Sequence, residues 1–359
     1  MKEFNCRTRL AWGDGALSAL ETMGIRRLLL VSDPYFVKTG QAQKVAAAAK
    51  AETVEIFDRV EPDPSVELAA AGAAVVRAFC PDVIAALGGG SAIDCAKAMG
   101  YFGGCTRFVA IPTTSGSGSE VTDFAVLTHG DTKHPLVDDS LRPEAAILDS
   151  DFLQELPAGL IADCGFDVLA HALEALVAEK ASPVTDALAT DAFCRAFSNL
   201  EASFYGNKMV RLDIHLASAM AGMAFSGAGL GVCHALAHSL GGRFHIPHGR
   251  LNAVLLPVVV AYNETVAGEK YARLARTAGL GGSARTMAVR NLQTGLKRLR
   301  SALQLPATLA EAGVDLRQLR REREHILTAA LSDPCCAGNP RKPDGQSLGQ
   351  LLEAVTGRG

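Results

Sequence analysis

The hydrophobic pattern changes near the middle of the chain. Before about residue 150, short apolar runs (RRLLLVSD, TVEIFD, DVIAALGGG and CTRFVAIP) alternate with segments of helical periodicity, VKTGQAQKVAAAAK and SVELAAAGAAVVRAF. This alternation predicts a parallel β-sheet with helices on both faces. Ligands of such sheets bind beyond the carboxyl ends of the strands. Three predicted strands end at Asp33, Gly88 and Pro112, so the turns after these residues are candidate ligand sites.

The second half of the chain has a different pattern. From about Asp151, long stretches of helical periodicity replace the apolar runs, among them GLIADCGFDVLAHALEALVAE and RLDIHLASAMAGMAFSGAGLGVCHALAHSL. Leu-Pro-Ala at residues 156–158 marks a helix start. We therefore predict two domains, a Rossmann-like α/β domain over residues 1–150 and an all-helical domain over residues 151–359.

Composition narrows the class of protein. Hydrophobic residues make up 48% of the 359 residues and charged residues 20%, which is typical of a globular protein. The net charge of −3 and the lack of a basic, aromatic-rich segment argue against a nucleic-acid partner. No uninterrupted apolar stretch approaches about 18 residues, and the N-terminus lacks the apolar core of a signal peptide. We therefore expect a cytoplasmic protein without a membrane partner.

Two turns of the first half have the composition of phosphate-binding loops. LGGGSAIDCAKA joins a predicted strand to a predicted helix through Gly88, Gly89 and Gly90, which leaves backbone N–H groups at a helix N-terminus. Taken alone, this turn also fits a tight connection without a ligand, and it lacks the GxGxxG spacing of the usual dinucleotide fingerprint. IPTTSGSGSE, after the next strand, adds hydroxyls and two glycines within residues 113–119. Two such turns on neighbouring strands favour a bound pyrophosphate.

Asp33 ends the predicted strand RRLLLVSD. A carboxylate in this position accepts hydrogen bonds from both hydroxyls of an adenosine ribose and repels a 2′-phosphate, which would favour NAD over NADP. The sequence leaves an alternative open, in which Asp33 caps a helix that begins at Pro34.

The histidines of the second half are concentrated in short segments. Asp167 and His171 are four residues apart and share one face of a helix, and His234 and His238 repeat that spacing. His248 follows a proline and begins a further apolar helix. A lone histidine on an apolar face is usually a hydrogen-bonded core residue, but an acid and several imidazoles on three helices are explained most simply by a divalent metal. A closed structural zinc site would more often use cysteines.

Four motifs in order resemble those of the iron-containing, or group III, alcohol dehydrogenases: GGGSAIDCAKA, AIPTTSGSGSEVT, GFDVLAHALEA and GVCHALAHSLGGRFHIPHG. The resemblance extends from RTRLAWGDGAL to NPRKP, essentially the whole chain. Within the family, TRLAWGDGAL, AGMAFSGAGLG and LGGRFHIPHG are most similar to the 1-propanol dehydrogenases of propanediol-utilisation microcompartments. The resemblance implies the architecture shared with dehydroquinate synthase.

The resemblance also implies a role for each matching residue. The family's metal ligands match Asp167, His171, His234 and His248. His238 matches a nearby histidine outside this set, which either relays a proton to the substrate oxygen or orients a ligand, and Phe225 matches an aromatic residue beside the substrate. The residues implied in cofactor binding are Asp33, Gly88, Gly89, Gly90, Ser91, Asp94, Thr113, Thr114, Ser117 and Lys133.

The implied activity is hydride transfer between NAD(H) and a small, uncharged primary alcohol or aldehyde, such as 1-propanol or propionaldehyde. The first domain would hold the nicotinamide cofactor. The second would hold Fe²⁺, with Zn²⁺ able to compete, as a Lewis acid for the substrate oxygen. We further expect a homodimer and, from the closer resemblance, association with a microcompartment.

Three alternatives stay open on the sequence alone. A lyase of the dehydroquinate synthase kind would share the fold, NAD and a metal, but it needs Lys and Arg side chains for a phosphate and a carboxylate. Such residues are scarce near the metal motifs, apart from Lys133, Arg243 and Arg250. A glycerol dehydrogenase-like enzyme is the second alternative. The third is a non-catalytic microcompartment component, and the full set of metal-ligand residues argues against it.

Overall fold

The computed structural model describes residues 4–130 and 132–357. It divides into two compact units between Leu156 and Pro157. The helix predicted from Leu-Pro-Ala begins at Ala158, directly after this division, with Pro157 as the residue before its first turn.

The first unit is built on a parallel β-sheet, as the alternating pattern predicts. The strands lie in the order β1 (Arg9–Gly13), β8 (Ala145–Asp149), β5 (Phe108–Pro112), β4 (Val83–Gly88), β2 (Arg27–Ser32) and β3 (Thr53–Phe57), and each neighbouring pair is parallel. The sequence pattern did not indicate the antiparallel pair of β6 (Phe124–His129) and β7 (Thr132–Val137), which lies outside this sheet.

Helices cover both faces of the sheet, which explains the continuous apolar character of its strands. Leu28 and Leu30 belong to one core cluster, and Leu29 and Val31 to another, because successive side chains of a strand point to opposite faces. The helices of this unit are α1 (Pro34–Lys38), α2 (Gln41–Ala49), α3 (Val66–Phe79) and α4 (Gly90–Gly103). The segment VKTGQAQKVAAAAK was predicted as one helix, but Gly40, with a φ of 79°, separates α1 from α2.

The regular structure of the second unit is helical throughout residues 157–357. Its helices are α5 (Ala158–Val177), α6 (Pro183–Phe204), α7 (Arg211–Ala228), α8 (Val232–Phe244), α9 (His248–Thr277), α10 (Arg285–Ala302), α11 (Leu316–Ser332), α12 (Pro334–Gly338) and α13 (Gly345–Thr356). By length and composition α9 is able to cross a membrane, but 67% of its apolar window is buried inside the protein. Core helices of soluble proteins have the same length and composition.

Glycines break one predicted helix into two. The helical periodicity continues from Arg211 to Leu240, but α7 ends at Ala228 and α8 begins at Val232, with an angle of 106° between the helical segments. Gly229 has a φ of 86°, which residues with a side chain rarely adopt. The chain therefore turns a corner between Phe225 on α7 and the histidines on α8.

Candidate active site

The carboxyl ends of β4 and β5 form one edge of the sheet in the first unit. The N–H of Thr113 donates to the carbonyl of Gly88 at 3.0 Å. Gly88 has a φ of 155°, and a Cβ atom there would lie 2.6 Å from the Cβ of Ala92. This turn from strand to helix therefore requires glycine.

The two glycine-rich turns lie against each other. A Cβ atom on Gly89 would come within 3.1 Å of the Thr114 hydroxyl, and one on Gly90 within 3.0 Å of the Ser117 side chain. The first N–H groups of α4, which begins at Gly90, have no partner within the helix. The structure thus brings together backbone donors and hydroxyls, the groups that bind a phosphate.

Asp63 links Ser91 to Lys133 beside the first turn. Its backbone N–H donates to Ser91 Oγ at 3.3 Å, and its carboxylate accepts from Lys133 Nζ at 2.6 Å. Asp94, one turn into α4, is buried, and its Oδ2 accepts from the N–H of Val126 at 3.0 Å. Burial raises the pKa of Asp94. Ser91 and Lys133 therefore lie beside the turn. Asp94 instead accepts a hydrogen bond from the backbone of β6.

Asp33 lies at the carboxyl end of β2 and caps α1. Its Oδ1 accepts from the N–H of Tyr35 at 2.8 Å and from the N–H of Phe36 at 3.3 Å. The capping alternative is therefore present in the structure, and a contact with a ribose stays a prediction.

Asp167 is the centre of the histidine cluster in the second unit. Its Oδ1 lies 3.9 Å from Nε2 of His171, 3.6 Å from Nε2 of His234 and 3.5 Å from Nε2 of His248. The rings of His171 and His234 are stacked, with centroids 4.5 Å apart. Three helices, α5, α8 and α9, therefore bring their ligand-type residues to one carboxylate oxygen.

This donor set fits a divalent first-row metal. A carboxylate and imidazole nitrogens are ligands that Fe²⁺ and Zn²⁺ share. Bonds of about 2.0–2.2 Å to each donor would place neighbouring donor atoms about 3–3.5 Å apart. The ligand atoms of Asp167, His234 and His248 all lie within 4.8 Å of one another. Small movements of these side chains are enough to enclose one ion.

Asp167, His171 and His234 are buried, whereas the side chain of His248 is 31% exposed. Burial raises the pKa of Asp167, but the rings of His171 and His248 outweigh burial and hold this pKa well below its usual range. Burial lowers the pKa of His234, but the neighbouring carboxylates of Asp167 and Glu174 outweigh burial and raise this pKa to about 9. Metal binding displaces protons from such rings, because a ligating imidazole nitrogen must be unprotonated.

Phe225 and His238 flank the cluster. Phe225 stacks on His171, with ring centroids 4.4 Å apart. His238 stacks on His248 at 5.1 Å, and its Nδ1 lies 2.8 Å from Asp333 Oδ2. The side chain of His238 is 33% exposed, so its ring is accessible to solvent.

Comparison with known proteins decides the family. The model for iron-containing alcohol dehydrogenase matches residues 8–150, and the model for the C-terminal part of the Fe-containing alcohol dehydrogenase family matches residues 161–356. This chain belongs to the iron-containing alcohol dehydrogenase family. The resemblance inferred from the motifs is thereby confirmed, and membership implies iron and a nicotinamide cofactor.

Relatives that match this chain over nearly its whole length include two alcohol dehydrogenases. The 1-propanol dehydrogenase PduQ of Citrobacter freundii is 38% identical, in a match that covers 99% of this chain and 100% of the relative. The NADPH-dependent butanol dehydrogenase of Clostridium saccharobutylicum is 37% identical, in a match that covers 99% of this chain and 98% of the relative. The crystal structure of the enzyme from Thermococcus thioreducens has a TM-score of 0.91 at 32% identity and covers 98% of this chain and 99% of its own. The predicted architecture is confirmed.

The iron-containing alcohol dehydrogenase fold adds polar residues to the cluster that the sequence analysis missed. The Nδ2 of Asn252 donates to Asp167 Oδ1 at 2.8 Å, and Glu174 lies 2.7 Å from Nδ1 of His234. Helical spacing was a usable signal for both, because Asn252 is four residues after His248 and Glu174 is three residues after His171. Asp333 has no such signal, since it is separated from His238 by 95 positions.

A close backbone contact holds the start of α9 against α5. Arg250 donates from Nε and Nη2 to the carboxylate of Asp163 at 3.2 and 3.0 Å. A Cβ atom on Gly249 would lie only 1.8 Å from the carbonyl oxygen of Asp163. The absence of a side chain at Gly249 lets the two backbones touch, which sets His248 beside Asp167.

Proposed function

We propose that this family member transfers a hydride between NAD(H) and a small, uncharged primary alcohol or aldehyde such as 1-propanol or propionaldehyde. The observation that carries the proposal is the convergence of the His171, His234 and His248 nitrogens on Asp167, with Phe225 against the cluster. We propose Fe²⁺ as the bound ion and Zn²⁺ as its competitor, because the donor set contains no thiolate.

The two units take complementary roles in this proposal. The first, which ends at Leu156, binds the dinucleotide, with its pyrophosphate on the N–H groups and hydroxyls of the two turns. The second, which begins at Pro157, binds the metal and the substrate. A bound divalent ion supplies Lewis-acid polarisation of the substrate oxygen, and the nicotinamide supplies or accepts the hydride.

His238 is the proposed proton relay. Its Nδ1 is engaged by Asp333 at 2.8 Å, so Nε2 is the atom that exchanges a proton with the substrate oxygen. The partial exposure of the ring gives that proton a route to solvent. The alternative is that His238 only orients the neighbouring ligand His248. The stacked arrangement favours the relay, because stacking on the ring face leaves Nε2 of His238 available.

Charge pairing supports an uncharged substrate over the ligand of a dehydroquinate synthase-like lyase. A lyase of that kind needs free cations for a phosphate and a carboxylate. The three cations near the motifs are each paired with a carboxylate, Arg250 with Asp163, Arg243 with Glu322 and Lys133 with Asp63. Binding a charged substrate through them would require breaking an existing ion pair.

The aldehyde chain length should determine the rate. Each methylene buried beside Phe225 contributes roughly 0.8 kcal/mol until the pocket is full, so kcat/KM with NADH should rise a few-fold from acetaldehyde to propionaldehyde and peak at three or four carbons. The absorbance of NADH measures this over a series of linear aldehydes. Glyceraldehyde 3-phosphate and succinic semialdehyde are the charged controls and should react poorly.

Other outcomes of this assay separate the alternatives. A preference for either charged aldehyde contradicts the proposed pocket. Oxidation of glycerol faster than of 1-propanol favours the glycerol dehydrogenase-like alternative. If the iron-loaded protein fails to oxidise NADH with any of the aldehydes in the series, this result contradicts the proposed activity and favours a non-catalytic role.

Replacing Asp33 by glycine should increase the use of NADPH relative to NADH, because the carboxylate would otherwise repel the 2′-phosphate. Asp33→Asn is the matched variant, since asparagine keeps the cap of α1 and removes only the charge. The ratio of kcat/KM for the two coenzymes should shift towards NADPH in both variants. An unchanged ratio in both would mean that Asp33 only caps the helix.

The cellular context follows from the resemblance. We propose a homodimer in the cytoplasm, without nucleic-acid or membrane partners, and association with a bacterial microcompartment. The similarity over the full length to 1-propanol dehydrogenase PduQ supports the last point.

A further inference from the structure

Glu174 is a buried carboxylate between α5 and α8. Its side chain is 2% exposed. Its Oε2 accepts from the N–H of Gly231 at 2.9 Å, and its Oε1 accepts from the N–H of Cys233 at 2.6 Å. The same Oε2 lies 2.7 Å from Nδ1 of His234. One side chain of α5 therefore contacts both the backbone and a ring of α8.

The first role of these contacts is to begin α8. The residue before the helix is Gly231, which has no side chain to cap the first N–H groups. A Cβ atom on Gly231 would lie 2.7 Å from Glu174 Oε1 and 2.7 Å from Asn339 Oδ1. The space of a local cap is thus occupied by two side chains from elsewhere, and the negative charge of Glu174 lies at the positive end of the helix dipole.

The second role concerns the ring of His234. A carboxylate accepts hydrogen bonds, so Nδ1 of His234 carries the proton and donates it to Glu174. When a metal displaces the proton on Nε2, the lone pair of the neutral ring is on Nε2, the atom that lies 3.6 Å from Asp167 Oδ1. Carboxylates that fix a metal-ligating histidine in this way raise its basicity and hold its orientation.

We infer that Glu174 is a positioning residue that couples the start of α8 to the ligand geometry of His234. This inference rests on the proposal that the Asp167 cluster binds a divalent metal. It predicts that removing the charge of Glu174 weakens metal binding beyond any effect on folding. A simple helix cap would affect only the stability of the protein.

Glu174→Gln tests the coupling because glutamine has nearly the same shape. With its carbonyl towards His234, its NH₂ group faces the N–H of Cys233, where two donors repel each other. With its NH₂ group towards His234, it places the ring proton on Nε2. Glutamine is therefore unable to keep both roles of the carboxylate. Co²⁺ titration of the metal-free enzyme, followed by the visible absorption of the ion, should show a dissociation constant raised by about 10–100-fold.

Asn339→Ser is the matched control. Asn339 Oδ1 accepts from the N–H of Val232 at 3.3 Å, so this variant weakens the start of α8 without a contact to the His234 ring. Both variants should lower the thermal unfolding midpoint of the metal-free protein. Only Glu174→Gln should lose Co²⁺ affinity. The Co²⁺ dissociation constant of Asn339→Ser should stay within about threefold of the wild-type value.

The outcomes separate this inference from the proposed function. Glu174→Gln with Co²⁺ affinity within about threefold of the wild type shows that Glu174 is only a cap and overturns the inference. A wild-type enzyme that does not bind Co²⁺ overturns the metal proposal instead. If Glu174→Gln does not fold, ¹⁵N NMR of the histidines in the Zn²⁺-loaded wild type decides the question. The inference requires His234 to carry a proton on Nδ1 and bind Zn²⁺ through Nε2, and the reverse arrangement overturns it.

Discussion

Replacing His248 by alanine should abolish stable metal binding, whereas replacing His238 should keep the metal and lower turnover by about 10²–10⁴-fold. The two rings are stacked at 5.1 Å but face different partners. His248 directs Nε2 at Asp167 Oδ1 from 3.5 Å, while His238 bonds through Nδ1 to Asp333. Replacing His248 removes a donor atom from the proposed metal site and so lowers metal affinity. Replacing His238 removes only the proposed route of the proton and so lowers turnover.

Metal content and turnover, measured on the same anaerobically purified samples, distinguish these effects. Ser239→Ala is the control on the same helix, because its hydroxyl bonds only to the carbonyl of Ala235 in the contacts described, and both quantities should be unchanged. A chelator should inactivate the wild type, and Fe²⁺ should restore it. Full turnover in His238→Ala contradicts the relay, and loss of metal in that variant shows instead that His238 supports a ligand. A His248→Ala protein with one metal per chain contradicts the proposed ligand set.

Replacing Gly249 by alanine should destabilise the second unit and disrupt the metal site together. The added Cβ atom would lie 1.8 Å from the carbonyl oxygen of Asp163 and 2.5 Å from its carbonyl carbon. These are backbone atoms of α5, so the clash is relieved only by moving the start of α9 away. Overpacking of this kind costs about 3 kcal/mol of the free energy of unfolding, and it would also shift His248 away from Asp167.

Gly241→Ala is the matched control for this prediction. Gly241 is also helical, but its added Cβ atom would meet only Leu251 Cδ1, at 3.4 Å, and the carbonyl oxygen of Ile246, at 3.7 Å. Alanine is a better helix former than glycine, so this variant should be unchanged or more stable by about 0.5–1 kcal/mol. Thermal unfolding and Co²⁺ titration measure both variants. A Gly249→Ala protein as stable and as tightly metal-binding as the wild type contradicts the close contact between α5 and α9.

The sequence was most informative where a single physical signal dominates. The parallel sheet follows from buried strands such as Val83–Gly88, whose continuous apolar character requires a helix on each face. The cluster around Asp167 follows from the i, i+4 spacing of Asp167 and His171, which places both on one face of α5.

The sequence was less informative where distant contacts decide the structure. Helical periodicity continues through residues 229–231, and the reason why a new helix begins at Val232 lies in the backbone conformation of Gly229 and in the caps from Glu174 and Asn339. The contact between Asp333 and His238 on α8 joins residues 95 positions apart, so no local sequence pattern predicts it. The hairpin of β6 and β7 was missed because its alternating side chains are partly exposed and lie outside the main sheet.

The glycine corner between α7 and α8 has a consequence for changing the substrate range of this enzyme in the laboratory. Phe225, against the cluster, belongs to the last turn of α7, while His234 belongs to the first turn of α8 and is anchored from α5 by Glu174. A backbone that bends at Gly229 transmits little strain from one helix to the next. Libraries that vary α7 around Phe225, while Phe225 itself keeps its stacking on His171, should therefore reshape the proposed pocket wall with the proposed metal ligands in place, provided that Gly229 and Gly231 are left unchanged.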